Sequence, residues 1–305
     1  MTSSAPTNTP LATPGSTAFT TLISAAQLQA QLDNKAPCMV FDCSCDLMQP
    51  ELGPAQYQQA HIPGAVYAHL DNALSSKGDR RITRAASGGR HPLPARDVFA
   101  AWLGSVGFDN TMQAVVYDRQ GANYCGRLWW MLKWLGHDKV AVLDGGLQAW
   151  QAAGGVVSSG LEVVRPAVSF QIGQPLVQLV DVDTVLGNLG KPTQQMVDAR
   201  GAPRFRGEVE PIDPVAGHIP GALNRPFNQN LGADGHFKDA ATLRAEFTAL
   251  LGQRDPATVV HHCGSGVSAV PNILAMEIAG LGRTALFAGS WSEWCSDPKR
   301  PVAQG

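Results

Sequence analysis

The chain has 305 residues, of which 44% are hydrophobic and 16% charged, and a formal net charge of -2 at pH 7. This length is typical of two domains, and the composition provides enough apolar residues for two buried cores. The lack of a basic excess argues against nucleic acid or an anionic membrane as a partner, and no apolar run approaches the ~18 residues of a transmembrane helix.

Residues 1–18 are rich in Ser, Thr, Pro and Ala and carry no charged side chain. They lack the basic and apolar segments of a secretory signal, so we expect a disordered tail. The cysteines, at positions 38, 43, 45, 125, 263 and 295, match no zinc-site spacing. We expect free thiols in a reducing, cytoplasmic compartment and no metal or cofactor. A local Cys43–Cys45 disulfide and a redox role for Cys295 are the alternatives.

Short buried strands alternate with helical patterns in both halves of the chain. The sequence predicts strands at 115–117, 140–143 and 259–260, and helices at 128–135 and 270–278. The last helix has an apolar face, a proline in its first turn and a glycine just after its end. Such alternation predicts parallel sheets flanked by helices, with ligands beyond the carboxyl ends of the strands.

The chain repeats itself at long range. The pentapeptide HIPGA begins at His61 and again at His218, with a Met-Val strand motif upstream of each copy. Downstream, a buried strand and a glycine-rich segment ending at Trp150 and Trp294 follow in the same order. Four matched segments in one order indicate a duplicated domain. We place the two copies at 19–155 and 180–305, joined by a surface linker at 156–179.

One loop in the second half places a cysteine directly after a predicted strand. In the sequence VVHHCGSGVS, Cys263 follows the strand, and Gly264 and Gly266 shape a tight turn before the next helix. Backbone N–H groups in such a loop, with a helix N-terminus, stabilise negative charge on the sulfur. Cys263 is therefore predicted to be a thiolate nucleophile that can carry a persulfide. A cysteine packed as a small hydrophobic residue is the alternative.

Three other site classes need residues that this loop lacks. A cysteine phosphatase with a C-x5-R loop needs an arginine at the position of Ala269. The serine-hydrolase elbow G-x-S-x-G needs glycines where Cys263 and Val267 stand. The adjacent His261 and His262 point to opposite faces of a strand, so they predict no metal site.

The chain resembles the two-domain rhodanese-like sulfurtransferases over nearly its whole length after the tail. The resemblance rests on the repeated HIPGA turn, the strand-end Cys263 and the glycine-rich segments that end at Trp150 and Trp294. It implies an α/β fold of two tandem rhodanese-like domains, each a mainly parallel sheet flanked by helices. Asp118 stands about where the first half would carry the cysteine, so the first domain is predicted to be the non-catalytic copy.

The loop sequence CGSGVS is similar to the CGSGVT loop of the family's mercaptopyruvate branch, whereas the thiosulfate branch typically has CRKGVT. Gly264 and Ser265 supply no charge, which favours a monoanionic donor over the thiosulfate dianion. The resemblance implies that Cys263 takes sulfur from 3-mercaptopyruvate, releases pyruvate, and passes the persulfide sulfur to cyanide or to a thiol such as thioredoxin. Thiosulfate:cyanide transfer is the alternative reaction, and a persulfide carrier or sensor without turnover is the alternative of another class.

The resemblance also assigns relay and loop residues. The family's proposed proton-relay triad falls by motif on Ser265, His91 and Asp71, and ordinary polar loop residues are the alternative for the last two. The other loop residues are expected to bind substrate: Gly264, Gly266, Val267 and Ser268.

Recognition of the donor's carboxylate is expected from arginine, whose planar fork suits it. The segment at 203–208 resembles the family's substrate-arginine segment, with Arg204 at the matching position. The mercaptopyruvate branch usually has a second arginine a few residues before the second HIPGA turn, but residues 210–214 read EPIDP. Arg206 is the candidate substitute, and a solvated surface arginine is its alternative.

Overall fold

A computed structural model describes residues 18–77 and 85–305, so the predicted tail lies outside the described residues except for Ala18. The first half contains β1 (Leu22–Ile23), α1 (Ala25–Asp33), β2 (Cys38–Asp42), α2 (Leu52–Gln59), β3 (Val66–Tyr67), α3 (Arg96–Ser105), β4 (Gln113–Tyr117), α4 (Cys125–Trp134), β5 (Val140–Leu143) and α5 (Gly146–Ala152). The second contains α6 (Val182–Gly187), β6 (Gln195–Asp198), α7 (Ala202–Arg206), β7 (Leu223–Asn224), α8 (Ala240–Leu251), β8 (Val259–His262), α9 (Val270–Ile278), β9 (Ala285–Leu286) and α10 (Ser290–Trp294).

The two halves form sheets of the same topology. The first sheet has the order β1-β5-β4-β2-β3 and the second β7-β6-β8-β9, with every pair parallel. Leu179 makes an isolated parallel bridge to Leu286, so it stands beside β9 where β1 stands beside β5. The predicted α/β class and the predicted tandem of parallel-sheet domains are both confirmed.

The central strands of both sheets are apolar because helices cover both of their faces. Every residue of β4 and of β8 is buried. Helix α4 is buried along its whole length because it also contacts α9 of the second half. One hydrophobic cluster therefore runs across the domain interface, from Trp129 and Trp130 to Ile273 and Leu274.

The two HIPGA turns fold alike. In each, the histidine Nδ1 lies close to the carbonyl oxygen of an aromatic residue in the preceding helix, at 2.7 Å for His61 and Tyr57 and at 2.8 Å for His218 and Phe205. The rings of each pair stack at centroid distances of 4.1 and 3.8 Å. These histidines therefore brace the turns.

The segment between the two sheets crosses the first half before it enters the second. Backbone hydrogen bonds join Ser158 to His61 and Val168 to Gly104. The boundaries proposed from the sequence, 19–155, 156–179 and 180–305, stay predictions. Within the described ranges, no helix has the length and apolar character that a membrane crossing requires. All six cysteines are free thiols.

Candidate active site

The predicted nucleophile lies at the carboxyl end of the central strand β8. Cys263 is 2% exposed, and the N–H group of Gly266 points to its sulfur at a nitrogen–sulfur distance of 3.2 Å. Gly266 has a φ of +75°, and a Cβ atom there would lie 2.2 Å from the carbonyl oxygen of Ala288. Only glycine can make this turn, which brings a hydrogen-bond donor to the sulfur.

The backbone of Cys263 is held by the segment after β9. Ser290 Oγ accepts a hydrogen bond from the Cys263 N–H at 3.1 Å and donates one to the Phe287 carbonyl oxygen at 3.0 Å. Ser290 has a φ of +57°, which is rare for a residue with a side chain, and Gly146 has 61° at the matched position of the first half. We did not single out Ser290 from the sequence, although its alignment with a glycine of the repeat was an available signal.

The structure brings the three predicted relay residues together across the domain interface. Ser265 Oγ and His91 Nδ1 are 2.7 Å apart. His91 Nε2 lies 3.5 Å from Asp71 Oδ1, without a hydrogen bond in this conformation. Lys77 pairs with the same Asp71 oxygen at 2.8 Å. The order serine, histidine, carboxylate suits a tautomer in which Nδ1 accepts from Ser265 and Nε2–H faces Asp71.

His91 is held in its neutral form. Its side chain is 1% exposed, and burial, reinforced by the positive charges of Lys77, Arg127 and Arg90, lowers its pKa to about 2. A neutral imidazole has a free lone pair at Nδ1, so it can accept a proton from Ser265. Asp71 is the acidic group on its other side, 3.5 Å from Nε2.

A buried arginine of α4 joins the two domains behind the cysteine loop. Arg127 is fully buried and donates to the carbonyl oxygens of Gly266, His91 and Leu74 at 3.1, 2.8 and 3.1 Å. Burial lowers its pKa to about 10, which leaves it charged at neutral pH. It ties the loop of Cys263 to the segment of His91, and sequence reasoning did not identify it.

A small cavity opens in front of Cys263. Its volume is about 130 Å³, which suits a donor of a few non-hydrogen atoms. Its lining comes from both domains: Leu47, Arg90, Ala199, Arg200, Gly201, Arg204, Phe227, Cys263, Gly264, Ser265 and Ser268. Gly266 and Val267 are not in this lining. Gly266 acts on the sulfur from behind, and Val267 is packed in the hydrophobic core.

Of the two arginines singled out from the sequence, the structure brings only Arg204 into the cavity. Its guanidinium donates to the Glu210 carboxylate at 3.0 and 2.6 Å. Burial alone would raise the pKa of Glu210, but hydrogen bonds from Arg204 and from nearby backbone lower it overall, so the carboxylate stays charged. Arg206 points to solvent and pairs with Glu208 at 2.6 Å. Instead, Arg90 and Arg200 join the lining, and sequence reasoning missed both.

A larger cleft, of about 600 Å³, lies near the amino ends of β6 and β8. Its lining includes Lys191, Gln195 and Asp255 but no cysteine, serine or histidine. Parallel sheets bind their ligands at the opposite, carboxyl ends of the strands. The small cavity at Cys263 is therefore the candidate active site.

The matched loop of the first domain holds a carboxylate where the second holds sulfur. Tyr117 pairs with Asp42 as His262 pairs with Asp198, so Asp118 occupies the position of Cys263. Its two oxygens accept hydrogen bonds at 2.8–3.0 Å from four backbone N–H groups, those of Gln120, Ala122, Tyr124 and Cys125. This loop carries no nucleophile at the strand end.

The rhodanese-like domain model matches the chain twice, at residues 24–153 and 181–297. The chain belongs to the rhodanese family. This rhodanese is 46% identical over 286 residues to a Pseudomonas aeruginosa protein named "Probable 3-mercaptopyruvate sulfurtransferase", covering 93% of this chain and 98% of the relative. It is 35% identical over 260 residues to a Cricetulus griseus protein named "Thiosulfate sulfurtransferase", covering 82% and 83%.

The 3-mercaptopyruvate sulfurtransferase from Leishmania major is a structural neighbour of this rhodanese. The TM-score is 0.77 at 31% identity, and the match covers 92% of this chain and 76% of the other. The family predicted from the sequence is thereby confirmed, and the sulfurtransferase class agrees with the names of the relatives.

Proposed function

We propose that this protein transfers the thiol sulfur of 3-mercaptopyruvate, through a persulfide on Cys263, to cyanide or to a thiol acceptor such as thioredoxin. The observation that carries the proposal is the uncharged Gly264–Ser265 pair that follows Cys263, in a cavity whose lining also includes arginines. A monoanionic keto acid suits this layout, with its sulfur at the cysteine and its carboxylate on arginine. The Pseudomonas relative's name supports the same donor.

The transfer divides into two steps. The Cys263 thiolate attacks the thiol sulfur of 3-mercaptopyruvate, an S–S bond forms and the C–S bond breaks, and its electron pair goes to the carbon as an enolate. The proton of the donor thiol ends on that carbon, which gives pyruvate. The acceptor then takes the outer sulfur and returns the Cys263 thiolate, so that two easier steps replace one difficult transfer.

Ser265, His91 and Asp71 form the proposed route for the proton. Ser265 accepts the proton of the donor thiol as it passes its own to His91 Nδ1, 2.7 Å away. The reverse transfer delivers the proton to the enolate carbon. Asp71 stabilises the imidazolium that exists between the two transfers, and it must approach from the 3.5 Å seen in the free enzyme.

Thiosulfate is the second candidate donor, because the Cricetulus griseus relative is named a thiosulfate sulfurtransferase. The alternative outside enzyme catalysis is that the protein carries a persulfide without turnover. The six free thiols support a reducing, cytoplasmic compartment with a thiol acceptor.

A donor comparison tests the proposed function. We expect kcat/KM for 3-mercaptopyruvate to exceed that for thiosulfate by about 10-fold or more, because one well-placed charge-assisted interaction is worth that factor. Pyruvate, sulfite and thiocyanate are measured in parallel, and intact mass reports the added sulfur on Cys263. A preference for thiosulfate overturns the donor, and a persulfide that forms once without turnover supports the carrier.

A further inference from the structure

Two guanidinium groups from different domains meet beside the nucleophile. Arg90 comes from the segment before α3, and Arg204 comes from α7. A Cβ atom at Gly264 would lie 3.1 Å from Arg90 Nη2 and 3.7 Å from Arg204 Nη1. Gly264 directly follows Cys263, so both groups face the space in which a donor bound to the sulfur must place its other end.

Asp213 already holds the two guanidinium groups together. Arg90 Nη1 donates to one of its carboxylate oxygens, and Arg204 Nη2 donates to the other at 3.2 Å. The side chain of Asp213 is 3% exposed, so this carboxylate lies behind the pair and away from solvent. The spacing of Arg90 and Arg204 therefore suits two oxygens of one carboxyl group.

The other faces of the pair are open. Arg90 Nη2 and Arg204 Nη1 have no hydrogen-bond partner among residues 18–77 and 85–305, and these nitrogens are the ones near Gly264. Arg90 Nε is likewise buried without a partner there. Unpaired N–H groups of a rigid planar guanidinium inside a cavity favour the binding of an anion with matching acceptor atoms.

We propose that Arg90 of the first domain supplies the second guanidinium for the carboxylate of a short 2-keto acid thiol, so that it forms a two-arginine clamp with Arg204, the residue that the family resemblance already assigns to this carboxylate. Asp213 is the positioning residue that keeps the two forks side by side. The inference rests on the proposed function and identifies which groups bind the anionic end of its donor.

This clamp accounts for the missing arginine at 210–214. That segment has Ile212 and Asp213 but no cation, and Arg206 lies outside the cavity. The second positive group is supplied instead from across the domain interface. Donor selection therefore depends on the first domain, even though its own loop carries no nucleophile.

The test compares two donors that differ only in the carboxylate. Wild type and the variants Arg90→Met, Arg204→Met and Arg206→Met are assayed with 3-mercaptopyruvate and with 1-mercaptopropan-2-one, the same mercaptoketone without the acid group. We expect Arg90→Met to lower kcat/KM for 3-mercaptopyruvate by about 10- to 100-fold, because it removes charge-assisted hydrogen bonds, and to change that for the neutral donor by less than about 3-fold. Arg204→Met should behave in the same way.

Arg206→Met is the matched control, since this exposed arginine lies outside the cavity and pairs with Glu208. It should leave both donors within about 2-fold of wild type. Arg90→Lys keeps the charge without the fork, so it should recover part of the loss. The backbone N–H of Arg90 donates to Ser292 Oγ at 2.9 Å, which holds this segment in place whatever the side chain.

The results of these assays distinguish a failure of the clamp from a failure of the proposed function. If Arg90→Met lowers the rates with both donors equally, Arg90 only supports the adjacent His91 and the clamp is wrong. If the Arg90→Met variant keeps the wild-type rate with 3-mercaptopyruvate, the clamp is also wrong, while the proposed function stands. If wild type forms no persulfide from 3-mercaptopyruvate, the proposed function itself fails, and the clamp fails with it as a site for that donor.

Discussion

The strand-end loops of the two domains follow matched strands, β4 and β8, but hold different chemical groups. In the first domain, four backbone N–H groups surround the carboxylate of Asp118, and a Cβ at Gly121 would lie 2.4 Å from Leu231 of the second domain, which covers the loop. In the second domain, the loop holds the sulfur of Cys263 and opens into a cavity lined with arginine. A loop of backbone N–H groups is therefore sufficient to stabilise an anion, but sulfur transfer also needs a nucleophile and a cavity through which the donor reaches it.

The largest expected effect comes from moving the thiol between the loops. Cys263→Ser should lower sulfur transfer by about 10³-fold or more, because the persulfide has no atom on which to form. Adding Asp118→Cys should restore nothing, since Leu231 covers this loop at Gly121 and no residue of the loop lines the cavity at Cys263. Thiocyanate and pyruvate release measure both variants. A double variant that regains activity would break the comparison, because the first loop would then be competent.

Removing the built-in carboxylate should cost stability rather than activity. Asp118→Ala leaves four N–H groups, three of them buried, without their acceptor, so we expect the free energy of unfolding to fall by about 2–4 kcal/mol. Urea denaturation measures this change. Asp46→Ala is the control, because Asp46 accepts from Met48 and Gln49 in an exposed turn and should cost less than about 1 kcal/mol. Equal losses in the two variants would contradict the role given to the first loop.

The proposed relay reaches only the second loop, through Ser265, and its variants should have intermediate effects. Ser265→Ala and His91→Asn should each lower kcat with 3-mercaptopyruvate by about 10- to 100-fold, and the double variant should lose little more, because the two groups act as one unit. Thiosulfate carries no thiol proton at neutral pH, so its turnover should change much less. Equal losses with both donors would assign these residues a structural role.

The matched strands β8 and β4 should also differ in their sensitivity to acid. Burial, reinforced by the neighbouring His262, lowers the pKa of His261 to about 3, and the pKa of His262 is lowered as well, mainly by burial. The matched residues of β4 are Val116 and Tyr117. Folded histidines that stay neutral take up protons only on unfolding, so stability should fall as pH drops below about 6.5 towards the folded pKa.

Hydrogen exchange of the β8 and β4 amides measures this difference, and β8 should lose protection first between pH 6.5 and 4. His261→Leu should flatten the dependence of unfolding free energy on pH by about 1.4 kcal/mol per pH unit. His236→Leu, at a half-exposed position, is measured alongside as the matched control for the substitution. A His261→Leu protein with the wild-type slope would show that this histidine is already charged in the folded state.

Local patterns predicted much of the fold and the centre of the site. The strands at 140–143 and the helix at 270–278 lie where the sequence placed them, because buried β-branched runs and a one-sided apolar helix follow from short-range periodicity. The duplicated turns identified two copies of one domain. Cys263, Ser265 and Arg204 face one cavity because each belongs to a motif within a few residues of a strand end.

The sequence by itself therefore determined the family and the sheet architecture, and it predicted the nucleophilic cysteine, because each of these depends on short motifs of contiguous residues. Tertiary structure alone decided which distant groups meet that cysteine. Arg90 and Arg127 reach the site from the first domain, Ser290 reaches it from the far side of β9, and Arg206 turns to solvent although it lies two residues from Arg204. Such meetings depend on how two separately folded sheets pack, and no local pattern in the chain carries that information.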